Sequence, residues 1–302
     1  LYQLHTNARW PKLGGTAPAT GVATTISAVA VHPTTGDVYV GGVFTRIGDV
    51  GEVPGVDANH LARWDGTSWN KVGDPTDIDD NGVDGPVYAL HFAPNSSGGY
   101  SLYIGGDFDH LNKRDEYETQ IPVGNVVSWT GSQWKLLGES GLYGGQPQNG
   151  TNGPVYAVTH DSSGRIYVGG SFTGAYDGIG GALPAANVAM YNALAPVAWT
   201  QLGGGLNGPV RALVATGGQS DYFYAGGSFT ASGGTPMSHV ARYSQNTNWG
   251  AMDAGFAGDV VDLAFDFATG AVYVVVDSAE PVQRWDGSVW SAVPGVPYDS
   301  GR

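Results

Sequence analysis

Of the 302 residues in the chain, 49 are glycine and 17 are proline, and the net charge is −14. This surplus of turn-forming residues argues against helical bundles and coiled coils, while 41% hydrophobic and 11% aromatic content excludes disorder. The negative charge disfavours nucleic acid as a partner. The absence of cysteine excludes disulfides, cysteine zinc sites and a cysteine nucleophile.

The chain begins at Leu1, without methionine or a signal-peptide pattern, which indicates a processed or excised segment. No apolar run approaches the roughly 20 residues that a membrane-spanning helix needs, so we expect no membrane insertion. Residues 1–14 contain WPKLG, which matches the end of a repeat that recurs along the rest of the chain. We therefore predict a partial repeat, or hairpin, over 1–24.

Five copies of a four-strand pattern follow, with strands a to d. Strand a is a short apolar segment. In the first four copies strand c starts with Asn or His and ends in Trp or Tyr, whereas the fifth copy reads PVQRW. A tryptophan opens strand d, as W-x-x-h-G with h apolar in the first three copies, and as the variants WGAMD and WSAV in the last two. Strand b carries a glycine pair in four copies: VYVGGVF at 38–44, LYIGGDF at 102–108, IYVGGSF at 166–172 and FYAGGSF at 223–229. In the fifth copy Val275–Val276 replaces the glycines.

Four-stranded antiparallel units that recur every ~50 residues are typical of β-propeller blades. We predict one all-β domain over 1–302, a propeller with five complete blades and the N-terminal partial blade. Missing strands, or strands from a partner, would complete a six-bladed ring. The predicted blades are residues 25–85, 86–153, 154–208, 209–258 and 259–302. We expect the glycine pairs to let neighbouring blades approach closely and the aromatic columns to fill the space between blades.

The glycine pair, the aromatic residue after it and the later tryptophan resemble a kelch-type repeat over residues 25–293. The variant with phenylalanine two residues after the glycines is similar to repeats of bacterial secreted proteins and fungal cell-surface proteins. The resemblance implies a propeller, a fold that hosts many functions. The copper site of galactose-oxidase-like relatives needs a cysteine, so that chemistry cannot be carried over.

The b–c and d–a connections of an up-and-down blade lie on one face, and in this chain they are longest in the first three copies. We interpret this face as a binding surface, although tolerated drift of surface loops is an alternative. Tyr176 lies in the third b–c loop. The other candidates come from the first two b–c loops: Arg46, Asp49, Glu52, Asp109, His110, Arg114, Glu116 and Tyr117.

The sequence is interpreted as an extracellular or cell-surface, bacterial, non-catalytic module. It would bind a glycan or a protein, or form a surface assembly, through this face. One alternative is a secreted polysaccharide hydrolase or lyase that uses loop carboxylates such as Asp109 and Glu116. Another is a structural subunit that completes its open half-blade with strands from a neighbouring copy or belongs to a larger parent chain.

An acidic loop resembles the first half of a calcium-binding loop. Asp77, Asp79 and Asn81 alternate, Gly82 allows a sharp turn, and the Val83 carbonyl and Asp84 follow. The loop is interpreted either as a calcium site, with calcium then the only cofactor, or as a solvated acidic loop. The second interpretation rests on Tyr88, which stands where a full calcium loop has its glutamate. Histidines 32, 91 and 160 fall at different positions of strand a, so they predict structural roles rather than a metal ring.

Overall fold

The structure is a computed structural model that describes residues 25–48, 55–114, 120–143, 146–176, 178, 182–193, 199–217, 222–278 and 281–295. Within these ranges all regular secondary structure is β-strand, which confirms the all-β prediction. The predicted partial blade over 1–24 lies outside the described residues.

The strands follow the repeat. The first copy contains β1 (Thr25–Val31), β2 (Val38–Val43), β3 (Arg46–Ile47), β4 (Val56–Asp57), β5 (Leu61–Trp64) and β6 (Trp69–Lys71). The second contains β7 (Val87–Pro94), β8 (Tyr100–Gly106), β9 (His110–Arg114), β10 (Gln120–Pro122), β11 (Val126–Trp129), β12 (Trp134–Leu136), β13 (Gly138–Tyr143) and β14 (Gln146–Asn149).

The third copy contains β15 (Val155–His160), β16 (Ile166–Gly170), β17 (Gly174–Ala175), β18 (Leu183–Pro184), β19 (Val188–Tyr191) and β20 (Trp199–Gln201). The fourth contains β21 (Val210–Ala215), β22 (Tyr222–Gly227), β23 (Ala231–Ser232), β24 (Thr235–Pro236), β25 (Val240–Ser244) and β26 (Asn248–Ala251). The fifth contains β27 (Val260–Asp266), β28 (Ala271–Val276), β29 (Val282–Trp285) and β30 (Trp290–Ala292).

Each copy forms one four-stranded antiparallel sheet with its strands in chain order. The sheets are β1-β2-β5-β6, β7-β8-β11-β12, β15-β16-β19-β20, β21-β22-β25-β26 and β27-β28-β29-β30. Each lies within one of the five predicted repeat units. The first strands of consecutive sheets contact one another in the order β1, β7, β15, β21 and β27, so these strands form a continuous row.

The first glycine of each pair is the point where neighbouring sheets meet. A methyl group on Gly169 would come within 2.5 Å of Val210 Cγ1, and one on Gly105 within 2.6 Å of Val155 Cγ1. Both valines are fully buried on the first strand of the next sheet. The glycine therefore allows the close approach that the sequence predicts.

The second glycine of each pair makes its close contact within its own sheet. A methyl group on Gly170 would overlap the carbonyl oxygen of Pro154, because strand β15 bulges between Val155 and Ala157. The same irregularity falls at the start of strand a in all five sheets. The glycine pair thus meets two separate steric demands, one between sheets and one within a sheet.

The sheets at the two ends of the row differ from the others. Ile26 on β1 is 39% exposed, whereas Val87, which occupies the same register position in the second sheet, is fully buried. At the other end Val275 stands at the position of the first glycine and is also exposed. Its side chain would prevent another sheet from docking as the internal sheets do.

In the first four sheets the residue just before strand c adopts the left-handed conformation, which explains the preference for asparagine or histidine there. The φ values are 61° at His60, 61° at Asn125, 62° at Asn187 and 71° at His239. The amide side chain of Asn187 also donates to the Leu206 carbonyl at 2.7 Å. The motif therefore fixes the exit of the b–c loop.

The tryptophans that open strand d link consecutive sheets. The indole N–H groups of three of them donate to the apolar residue of the preceding W-x-x-h motif. Trp199 donates to the Leu137 carbonyl at 2.7 Å, Trp249 to Leu202 at 2.9 Å and Trp290 to Met252 at 3.0 Å. Hydrogen bonds thus join the outer strands as glycine contacts join the inner ones.

Two of the three strand-a histidines form a pair. His91 Nε2 lies 2.7 Å from His160 Nδ1 across β7 and β15. Burial lowers the pKa of His91 to about 4, and burial also lowers the pKa of His160. Both rings are therefore neutral at pH 7, and one ring donates a hydrogen bond to the other.

This pair predicts a loss of stability in mild acid. Between the usual histidine pKa of 6.5 and about 4, the unfolded chain binds protons that the folded chain does not. The free energy of unfolding should therefore be greatest above pH 6.5 and fall as the pH drops, by up to about 1.4 kcal/mol per pH unit for one proton.

Urea denaturation at several pH values measures this slope. The matched variant is His91→Thr/His160→Phe, because Thr159 and Phe92 occupy the same register positions in the neighbouring sheet. The variant should be less sensitive to pH between 6.5 and 4 than the native chain. Equal slopes in the two proteins would refute the assignment.

Candidate functional site

Within the described residues, five short hairpins lie at one end of the sheets, which we call the loop face. Four of them, β3–β4, β9–β10, β17–β18 and β23–β24, lie in b–c connections, and β13–β14 lies in a d–a connection. In an antiparallel sheet with its strands in chain order, these connections share one end. Sequence analysis placed the longest loops there, but it did not predict that they form hairpins.

Hydrogen bonds tie the d–a connections to the hairpins. The backbone N–H of Asn81 donates to the Asn112 carbonyl at 2.8 Å, and Val83 forms a β-bridge with Leu111. In the next repeat, Thr151 forms the equivalent bridge with Ala175. The loop face is therefore an ordered surface in the part of the chain that the structure describes.

The structure places only some of the predicted binding residues. Asp109 and His110 lie at the start of the β9–β10 hairpin, and the backbone of Arg114 ends β9. Arg46 begins β3, where its guanidinium pairs with Asp57. Tyr176 follows β17, and its backbone N–H donates to the Gly150 carbonyl at 2.8 Å. The remaining candidates lie outside the described residues: Asp49, Glu52, Glu116 and Tyr117.

Asp84 joins Asp109 and His110 in one cluster. His110 Nδ1 lies 2.5 Å from Asp109 Oδ1 and 3.3 Å from Asp84 Oδ2. Burial and a hydrogen bond with Asp109 raise the pKa of Asp84. Hydrogen bonds from Asp84 and His110 lower the pKa of Asp109. A proton shared between the two carboxyls therefore belongs to Asp84.

The Asp84 side chain also holds the start of the β9–β10 hairpin, and equivalent residues do the same in two other repeats. Its Oδ1 accepts the backbone N–H groups of Asp109 and His110. Asn152 performs the same task for Thr173 and Gly174, and Asn207 performs it in the fourth repeat. Because asparagine suffices in those repeats, holding the hairpin explains Asp84 without a metal.

Three of the other predicted calcium ligands accept a hydrogen bond from a protein donor. Asp77 Oδ1 accepts the N–H of Asp79 at 3.0 Å. Asn81 Oδ1 accepts the N–H of Asn59 at 3.3 Å, and the Val83 carbonyl accepts Asn112 Nδ2 at 2.6 Å. The calcium site stays a prediction, because these contacts neither supply an ion nor exclude one.

Sequence analysis missed the role of Asp80, which lies in the same loop. Its side chain is 1% exposed and accepts three hydrogen bonds: from Lys113 Nζ at 2.9 Å, Trp134 Nε1 at 2.7 Å and the Asp74 backbone at 2.9 Å. Asp80 thus replaces the backbone carbonyl that accepts the indole N–H elsewhere. It locks the acidic loop between the first two sheets.

The bulge at the start of each strand a places one extra residue at the loop-face end of the row of first strands. We call these five positions the bulge row: Ser27, Tyr88, Tyr156, Arg211 and Val261. The rings of Tyr88 and Tyr156 lie 5.6 Å apart. Bulges redirect side chains away from the regular pattern of a sheet and are frequent beside functional sites.

Polar groups surround the bulge row. Arg211 Nε donates to Ser228 Oγ at 3.2 Å, and its Nη2 lies 3.5 Å from Asp259 Oδ2. Burial, with smaller effects from Asp107 and Tyr156, raises the pKa of Tyr88, which keeps its hydroxyl protonated as a donor. The sequence held a signal: in PVYA, PVYA and PVRA the third residue changes while its neighbours repeat.

A cavity of about 190 Å³ lies at the opposite end, between the third and fourth sheets. Asp161, Arg165, Tyr167 and Tyr243 are among its lining residues. Asp161 Oδ2 accepts hydrogen bonds from Arg165 Nε and the Tyr167 hydroxyl. The cavity is smaller than the roughly 300–1,000 Å³ of typical ligand pockets.

No family model matches the chain, and no curated protein matches it. The chain is similar to two solved structures of the extracellular domain of BT4673 from B. thetaiotaomicron. One has 12% identity and a TM-score of 0.44, covering 93% of this chain and 34% of that one. The other has 12% identity and a TM-score of 0.42, covering 91% and 34%. The chain spans about a third of the length of those structures.

Proposed function

We propose that the chain is a β-propeller of kelch-like repeats that acts as a non-catalytic, extracellular or cell-surface binding module of a bacterium. Its ligand, a glycan or a protein, binds at the loop face. The observation that carries this proposal is the gathering of five hydrogen-bonded hairpins at one end of the sheets. Ordered loops on a rigid scaffold are the usual place for binding sites.

The propeller itself is part of the proposal. Each described sheet contacts the next through its first strand, and the same glycine–valine contact recurs at four junctions. A single relation repeated between neighbouring sheets supports an arrangement of the sheets around a common axis. The low lysine content and the absence of cysteine agree with a secreted protein. Among the described residues there is no helix that is long and apolar enough to cross a membrane.

The carboxylate geometry favours binding over hydrolysis. In glycosidases the two catalytic carboxyl groups lie about 5 Å or more apart, with the sugar between them. Asp84 and Asp109 lie closer together than this, because a hydrogen bond with Asp109 contributes to the raised pKa of Asp84. The hydrolase alternative would need Glu116, which lies outside the described residues.

Binding to purified cell-surface polysaccharides and surface proteins, measured by biolayer interferometry, tests the proposal. We expect saturable binding that weakens when loop-face residues Asp109 and His110 are both replaced by alanine. Replacing Ser162 and Ser163 at the opposite end, the control, should have no effect. Equal loss from both double variants, or no binding to any probe, would remove the loop face as the binding site.

The calcium site is proposed only as a stabilising element of the acidic loop. Calcium titration of the chelator-treated protein, followed by its melting temperature, tests it. A melting temperature that rises with calcium in the native chain, but not in Asp77→Ala/Asp79→Ala, supports the site. An unchanged melting temperature removes it.

A further inference from the structure

We infer that the bulge row binds a neutral glycan, with Tyr88 and Tyr156 as its contact surface and Arg211 as its hydrogen-bonding group. This inference rests on the proposed function and assigns its ligand class. It also moves the site from the hairpins, where sequence analysis placed it, to the mouth of the row of first strands.

Within this chain the residues that flank the bulge position pack alike from sheet to sheet, whereas the side chain at the bulge varies. The residues that flank the bulge position are buried: Val87 and Ala89 in the second sheet, and Val155 and Ala157 in the third. The bulge residue between them is half-buried or exposed. Packing therefore dictates the flanking residues, whereas the side chain at the bulge is available for a ligand.

The side chains that meet at the bulge row have the chemistry of a sugar-binding surface. Two tyrosines on adjacent strands, 5.6 Å apart, offer rigid rings with a hydroxyl at the tip. Such side chains give a large contact area at little cost in conformational entropy. A pyranose ring presents C–H groups on its faces and hydroxyls around its edge, which matches an aromatic surface with polar neighbours.

Hydrogen bonds hold the side chain of Arg211 in place at the bulge row. Arg211 follows Tyr156 at the same register on the next strand. Ser228 Oγ accepts a hydrogen bond from Arg211 Nε, and Asp259 Oδ2 accepts one from Arg211 Nη2. Ser228 Oγ in turn donates to Asp259 at 2.6 Å. A guanidinium has five N–H donors, so this anchored side chain can still donate to sugar hydroxyls.

Charge selects the class of glycan. Asp107 lies close enough to Tyr88 to contribute to its raised pKa, and Asp259 offsets the charge of Arg211. The whole chain carries a net charge of −14. An acidic polysaccharide would be repelled by this surface, whereas a neutral one would not.

The test is isothermal titration of the full chain with neutral oligosaccharides, using β-glucan, galactan, mannan and chitin oligomers, and with oligogalacturonate as the acidic probe. We expect at least one neutral probe to bind. Tyr88→Ala and Tyr156→Ala should each weaken that binding about tenfold or more, and Arg211→Ala should also weaken it. Tyr100→Ala, at the opposite end of β8, is the matched control and should bind normally. Melting temperatures check that each variant is folded.

The outcomes separate this inference from the proposed function. If a neutral probe binds and the loss follows Asp109→Ala/His110→Ala but none of the bulge-row variants, the loop face is the binding site and the bulge row is not. Binding only to oligogalacturonate, or only to a protein, contradicts the neutral-glycan assignment while preserving the proposed function. If neither carbohydrate nor surface protein binds, both fall.

Discussion

Replacement of Gly170 by alanine is expected to lower the free energy of unfolding by about 3 kcal/mol. The added methyl group would overlap the Pro154 carbonyl oxygen, which is fixed by its hydrogen bond from Ser171 at 2.9 Å. Gly169→Ala should cost somewhat less, about 1–3 kcal/mol, because its nearest neighbour is the Val210 side chain. Guanidinium denaturation followed by tryptophan fluorescence measures both values.

Gly250→Ala is the matched control. Gly250 lies in a strand, and the nearest atom to an added methyl group would be the Arg242 carbonyl oxygen at 3.8 Å. This variant should be as stable as the native chain or slightly more so, because alanine restricts the unfolded chain. Equal stability of all three variants would contradict the steric role of the glycine pair.

Asp80→Ala is expected to have the second large effect. It removes a buried carboxylate that accepts hydrogen bonds from Lys113, Trp134 and the Asp74 backbone. Breaking such a pair leaves its donors unsatisfied and costs about 3 kcal/mol, the lower end of the range for buried pairs, since Lys113 is 32% exposed.

Thermal and chemical denaturation of Asp80→Ala should be compared with those of Asp77→Ala, both in chelator. Among the described residues, the Asp77 side chain accepts one exposed hydrogen bond, from the N–H of Asp79, so its loss should cost less than about 1 kcal/mol. If the two variants unfold alike, Asp80 does not lock the loop between the first two sheets.

The repeat made the strand order predictable. The glycine pair, the Asn or His before strand c and the tryptophan of strand d each recur because one local geometry recurs. For example, the left-handed φ of Asn187 and the indole hydrogen bond of Trp199 have equivalents in other repeats. Residues that satisfy the same geometric demand in several copies leave a pattern in a single sequence.

Contacts between copies left no such pattern. The pairing of His91 with His160 joins residues at different positions of the repeat, so aligning the copies separates them. The burial of Asp80 was hidden because its neighbours are exposed acidic residues. The sequence also assigned Asp84 to a metal site and Asp109 with His110 to a binding face, whereas all three meet in one cluster.

The bulge row was hidden for a related reason. The sequence of strand a does not reveal an extra residue, so Tyr88 and Tyr156 look like ordinary residues of that strand. Tyr88 also stands where a full calcium loop would have its glutamate. Only the pairing register shows that each is skipped by the neighbouring strand. Variation at one position within an otherwise constant motif was the available signal.

Hydrogen–deuterium exchange of the full chain, with and without a bound neutral oligosaccharide, should locate the glycan on the protein. If the loop face binds the glycan at the bulge row, exchange should slow in peptides that cover residues 84–90 and 153–158. It should not change in peptides that cover the turns at 64–69 and 129–134, at the opposite end of the sheets. Slower exchange confined to those turns would contradict the account.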